Sequence, residues 1–159
     1  MVTNKRGIEA LVATVLLVLI TIAAVGIIWG AVMPLIKSNI QSSQKCFDAD
    51  IEVKQGGYTC FDSIGNMVKV QVGRGEKATD LSDIQIQLSS GGTSKSIRVT
   101  NETVLPLNTI PGANEEVAYT LGTLGLGDIN TVSISAIIKI GNTELMCPAT
   151  QPVALDICG

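Results

Sequence analysis

The sequence predicts an α+β protein, a long N-terminal hydrophobic helix followed by an antiparallel β-sandwich. Three observations carry this prediction. Residues 10–36 form a run of 27 without a single charge. Beyond it the apolar residues change from a continuous run to strict alternation, the period of a half-buried strand. The alternating stretches are separated by glycine-rich turns.

The apolar run exceeds the roughly 20 residues that span a bilayer as a helix, and at 1.5 Å per residue it reaches about 40 Å. Lys5 and Arg6 stand just before it, which predicts a cytoplasmic N-terminus with the rest of the chain outside. A secretory signal peptide has a shorter apolar region and a small-residue cleavage site after it. Here the run leads through Pro34-Leu35-Ile36-Lys37 into the polar residues 38–45, so the helix is expected to be retained. Pro34 lacks a backbone donor and is expected to bend the helix. Gly26 and Gly30 form a G-x-x-x-G pair, small residues that allow close approach of a second helix.

The strands follow from the alternation. Val68, Val70 and Val72 alternate with Lys69 and Gln71, and Ile84, Ile86 and Leu88 with Gln85 and Gln87. Ile97 and Val99 flank Arg98, and Val117, Tyr119 and Leu121 alternate with Ala118 and Thr120. Val132, Ile134, Ala136, Ile138 and Ile140 share one face, with Ser133, Ser135 and Lys139 opposite. Gly141-Asn142 reads as a two-residue hairpin loop. Short strands at this spacing predict a sandwich.

Composition excludes several functions. From Ser38 onward there are 8 Lys/Arg against 13 Asp/Glu, a mildly acidic balance that lacks the basic footprint of a nucleic-acid binder. With no histidine, the commonest general base is missing, and there is no nucleophile elbow, P-loop or dinucleotide fingerprint. The chain is therefore read as non-enzymatic, with no cofactor. A strand would place Asp48, Asp50 and Glu52 on one face, a set that resembles calcium ligands but reads more simply as a solvated face; no metal is assigned. Asn101-Glu102-Thr103 is an N-x-T sequon and marks Asn101 for glycosylation on an exported domain. All four cysteines, Cys46, Cys60, Cys147 and Cys158, follow the apolar run. With no C-x-x-C pair, they predict two disulfides in an oxidising compartment rather than a zinc site.

The junction Lys5-Arg6-Gly7-Ile8-Glu9, followed at once by the apolar helix, resembles the leader junction of archaeal type IV pilins and archaellins, the class III signal peptide. The resemblance covers about the first 36 residues. It implies cleavage between Gly7 and Ile8 by a prepilin peptidase on the cytoplasmic side, with recognition carried by Lys5, Arg6, Gly7 and Ile8. It also implies that residues 1–7 are a leader, 8–45 a filament-core helix and stalk, and 46–159 an extracellular, immunoglobulin-like β-sandwich. Bacterial pilins carry a glutamate at the fifth mature position, whereas here Glu9 would be the second. Glu9 is assigned to helix packing with Gly26 and Gly30, either pairing with a neighbour's amine or answering the helix dipole. Related pilins carry local disulfides, which favours Cys46–Cys60 with Cys147–Cys158. A tight turn at Gly56-Gly57 would set Cys60 far from Cys46, which leaves Cys46–Cys158 and Cys46–Cys147 open.

The expected function is a pilin, the structural subunit of a surface filament used in adhesion. Its expected partners are further copies of itself in a helical array, the prepilin peptidase and the pilus assembly machinery, with the membrane as its place before assembly. An archaellin of a motility filament, or a single-span membrane-anchored binding domain that never polymerises, is the alternative.

Overall fold

The computed structural model describes residues 5–77 and 80–159; the side chains of residues 5–10, 38 and 39 lie outside that description. Helix α1 spans Lys5–Ile27 and helix α2 spans Met33–Asp48, joined by a π-helical segment, Ile28–Val32. Ten strands follow: β1 Ile51–Val53, β2 Cys60–Asp62, β3 Met67–Arg74, β4 Leu81–Ser90, β5 Thr93–Arg98, β6 Glu116–Gly122, β7 Thr131–Ile140, β8 Thr143–Met146, β9 Val153–Ala154 and β10 Asp156–Ile157. The chain divides into two compact units, residues 1–41 and 42–159.

The π segment has a local cause. Pro34 has no N–H to offer the Gly30 carbonyl, and its ring crowds that same oxygen. A wider turn relieves the clash without ending the helix. The flanking residues keep ordinary helical angles, φ −65° and ψ −44° at Ile27 and φ −61° and ψ −42° at Met33. The polar stretch after Lys37 continues as helix through Cys46 and Phe47 to Asp48.

The β unit consists of two five-stranded, mostly antiparallel sheets. In the first, β3 carries β6 along one side and both β1 and β2 along the other, with β10 parallel to β2. In the second, β4 lies between β5 and β7, and β8 and β9 share the far side of β7. The alternation meets in register. Val68, Val70 and Val72 face Leu121, Tyr119 and Val117 across one ladder, while Ile84, Ile86 and Leu88 face Ala136, Ile134 and Val132 across another. Nearly all of these side chains enter one core to which both sheets contribute, and most are wholly buried.

The opposite face of β7 differs from the expectation. Ser133 and Ser135 are 7% exposed and Ile137 only 1%. β7 is paired along both sides, and Ser133 and Ser135 lie directly across from Gln87 and Gln85 of β4.

Ile140 pairs with Thr143, so Gly141-Asn142 is the expected two-residue hairpin, with Gly141 at φ +62°. Gly91-Gly92 makes a second one between β4 and β5, with φ +54° and +87° at its two loop positions. Positive φ at both is the requirement of a type I′ turn, which glycine meets without a Cβ clash.

Gly56-Gly57 is not a hairpin turn. β1 and β2 both run antiparallel to β3 and follow one another along the same side, forming one edge strand interrupted by residues 54–59. Thr59 closes the gap. Its hydroxyl donates to the Lys54 carbonyl at 2.5 Å and accepts the Gln71 N–H at 3.0 Å, replacing the ladder bonds that the excursion removes. Thr59 is 6% exposed. Thr59→Val should therefore lower stability by about 1–3 kcal/mol, the cost of leaving the part-buried Gln71 N–H without its acceptor. A denaturant midpoint equal to that of wild type would contradict this role.

Candidate functional site

The N-terminal helix is the candidate site. It is long and apolar enough to cross a membrane, and none of its most apolar stretch is buried. Its large side chains stand open on every side, among them Leu11, Leu16, Leu17, Ile20, Ile22, Ile27 and Trp29. The two threonines in the run present no unsatisfied hydroxyl. Thr14 donates to the Leu11 carbonyl and Thr21 to the Val18 carbonyl, each at 2.8 Å. Local bonding of this kind lets a hydroxyl sit in an apolar environment at little cost.

A Cβ built on Gly26 or on Gly30 would meet no atom within 4 Å. Both glycines are therefore open to close approach by another helix. Gly30 also lies inside the π segment, so the four-residue spacing crosses a change of helical register. Lys5, Arg6, Gly7, Ile8 and Glu9 lie in the first turns of α1 by backbone, and their side chains lie outside the described residues. Met1 to Asn4 of the expected leader also lie outside them.

The cysteines pair as Cys46–Cys147 and Cys60–Cys158, with Cα separations of 5.4 Å and 5.1 Å. Two disulfides are present as expected, but the local pairing is overturned. The interrupted edge strand places Cys60 beside Lys69, and the parallel β10 brings Cys158 to it, with the Cys158 N–H bonded to the Phe61 carbonyl at 2.9 Å. Cys46, in the last turns of α2, meets Cys147 just past β8, where the Cys147 N–H bonds the Ala136 carbonyl at 2.8 Å. Ala49, Ala136, Ile138 and Cys147 form a small second core there.

The acidic triplet is separated by structure. Asp48 ends α2, Asp50 follows at φ +40°, and Glu52 lies in β1, so no strand face holds all three. The Asp48 carboxylate accepts from Lys77 at 2.6 Å, and this bond holds the Lys77 ammonium above the ordinary lysine value. Glu52 accepts from Lys54, whose ammonium is also 3.7 Å from Glu116. No group of three acidic, cysteine or histidine residues fit to hold a metal occurs among the described residues. These are exposed ion pairs and add little to stability.

Asn101 and Thr103 are exposed in the loop after β5. Tyr119, wholly buried, reaches that loop and donates to the Thr109 carbonyl at 2.6 Å. Burial, with the charges of Asp83 and Glu115, pushes its phenol well above the usual range.

One feature escaped the alternation pattern. An open groove of about 590 Å³ runs beside the Cys46–Cys147 bridge, lined by Phe47, Ile51, Leu145, Met146 and Pro148 among others. Phe47 stands 86% exposed at it. No period flagged this groove, because its walls come from separate elements, the end of α2, β1, β8 and the segment after β8, that the fold brings together.

Comparison of the chain with models of known protein families finds no match, and comparison with curated proteins finds none.

Proposed function

We propose that this chain is a pilin, the structural subunit of an archaeal type IV pilus-like surface filament that serves attachment. The observation that carries this reading is the N-terminal helix, none of whose most apolar stretch is buried within the chain. Its charge-free run, residues 10–36, reaches about 40 Å at 1.5 Å per residue, against a hydrocarbon core of about 30 Å. A simple anchor needs to be apolar only where it meets lipid. A helix that also packs against copies of itself gains from small residues such as Ala13, Ala23, Ala24, Gly26 and Gly30 set among Leu, Ile and Val. Contacts between such helices that do not close into a ring build a filament.

The junction Lys5-Arg6-Gly7-Ile8 supports the same reading through its resemblance to class III leaders, as does a disulfide-bearing domain outside the cytoplasm. In this account a prepilin peptidase cuts after Gly7, and the assembly machinery lifts the subunit from the membrane. The β domains face solvent as immunoglobulin-like sandwiches, and the role is structural rather than catalytic. A subunit of a motility filament shares this plan, and a motility assay on a deletion strain separates the two. A single-span binding domain shares the helix but has no need of the junction.

Processing is the test. The mature protein is expected to begin at Ile8, read by mass spectrometry of its N-terminal peptide. Gly7→Leu should leave the leader attached and prevent assembly. Surface protein that retains Met1, or that begins after Pro34, would contradict the reading.

A further inference from the structure

The loop after β5 holds a feature that filament formation does not use. The Asn101 backbone N–H bonds the Arg98 carbonyl at 3.0 Å, and the Val104 N–H bonds the Asn101 carbonyl at 3.0 Å, closing a tight turn. Val104 is wholly buried and fixes this turn to the core. Within it the Asn101 side-chain oxygen accepts twice from Thr103, from the backbone N–H at 3.0 Å and from the hydroxyl at 2.8 Å. Asn101, Glu102 and Thr103 are all exposed.

The chemistry of this arrangement is specific. An amide nitrogen is a poor nucleophile because its lone pair is delocalised onto the oxygen. Donors at that oxygen stabilise the negative charge that gathers there when the nitrogen gives up a proton. The Thr103 hydroxyl supplies such a donor, and the two bonds commit the oxygen to the loop, leaving the nitrogen on the other limb of the amide. Two long-range disulfides place the domain in an oxidising compartment, which is where sugars carried on lipid phosphates are transferred to protein.

We propose that Asn101 is the attachment point of an N-linked glycan, presented to its transferase by the Asn101–Thr103 turn. The donor class is an oligosaccharide linked through its anomeric carbon to a polyprenyl phosphate or diphosphate. The Asn101 Nδ2 attacks that carbon and a C–N bond forms. The C–O bond to the lipid phosphate breaks and its electron pair leaves with the phosphate. The proton lost from Nδ2 passes to a base of the transferase. The turn is complete in the folded domain, so the acceptor does not depend on an unfolded chain.

This inference needs the β domain to lie outside the cytoplasm; it does not need polymerisation. A bare Asn101 on filament-borne protein would overturn it and leave the filament reading intact. A glycosylated protein that never polymerises would do the reverse. The test is the mass of the full chain isolated from the cells that make it, with a digest that locates any sugar. Wild type is expected to exceed its polypeptide mass by whole sugar units carried on the Asn101 peptide. Asn101→Gln and Thr103→Ala should remove the increment, and Thr103→Ser, which keeps the hydroxyl, should retain it. Intact Cys46–Cys147 and Cys60–Cys158 linkages in each variant show that the loss does not come from misfolding. A wild-type mass equal to the processed polypeptide overturns the proposal, as does a sugar found elsewhere with Asn101 bare.

Discussion

Val18→Asp is expected to abolish filaments while leaving the β domain folded. Val18 lies in the middle of α1, about half exposed in the single chain. A carboxylate there costs about 2.5–3.5 kcal/mol at the bilayer centre. In a filament core it would be more costly, because every copy carries one and no cation lies in the run of residues 10–36. The penalty repeats with each added subunit, so even a modest cost per copy stops polymerisation. The β unit, residues 42–159, has its own core and does not include Val18. Val18→Leu is the control and should assemble normally. Electron microscopy of surface filaments reads the effect, and a non-reducing digest of the variant that recovers the Cys46–Cys147 and Cys60–Cys158 peptides checks the domain. Filament yield from Val18→Asp equal to wild type would remove helix packing from the account.

The second large effect is on the disulfides. The bridges join residues 101 and 98 positions apart. Closing a loop of about 100 residues restricts the unfolded chain by about 4.7 kcal/mol in the chain-entropy model, and measured losses on removing a native bridge run about 2–5 kcal/mol. A domain of this size has only about 5–15 kcal/mol of net stability. Cys60→Ala/Cys158→Ala should therefore lower the denaturant midpoint substantially, and so should Cys46→Ala/Cys147→Ala. Loss of both bridges should leave the domain largely unfolded at growth temperature. The first pair holds β10, a strand of only two residues, against β2, which itself has three. The second pair ties the end of α2 to the segment after β8 and forms part of the small core with Ala136 and Ile138. A non-reducing digest should link Cys46 to Cys147 and Cys60 to Cys158. A Cys46–Cys60 peptide would contradict the strand arrangement described here.

The helix and the long strands can be read from the residues, and the disulfide partners cannot. The helix was legible because a charge-free run of 27 residues leaves few alternatives. β3, β4 and β6 were legible because each buries mainly one face, and a period of two is the direct result; β7 carries the same alternation although both of its faces are buried. The two-residue loop at Gly141-Asn142 followed from its chemistry.

Disulfide partners were not legible, because pairing depends on which strands lie side by side. The strand that brings Cys158 to Cys60 is two residues long and carries no pattern. The interruption at residues 54–59 hid the fact that β1 and β2 form one edge, and its repair by the Thr59 hydroxyl has no signature in composition. The acidic triplet was misread because alternation at Asp48, Asp50 and Glu52 looks the same whether a strand begins before it or within it. In fact the helix persists to Asp48 and the strand begins at Ile51. Pro34 was recognised as a disturbance, but the form of the response, a π segment placed before it, depends on how the Gly30 carbonyl is accommodated. Of the proposed site, the apolar surface was readable in full, whereas the junction at Gly7-Ile8 rests on resemblance.

The most direct test of the central claim is electron cryomicroscopy of filaments purified from cells that express this chain, with peptide identification of the subunit. The account predicts a helical polymer of this chain whose axis is lined by residues 8–36 of packed helices, with the β domains outside. Recovery of the chain only as a membrane-bound monomer, from cells whose assembly machinery is active, would contradict it.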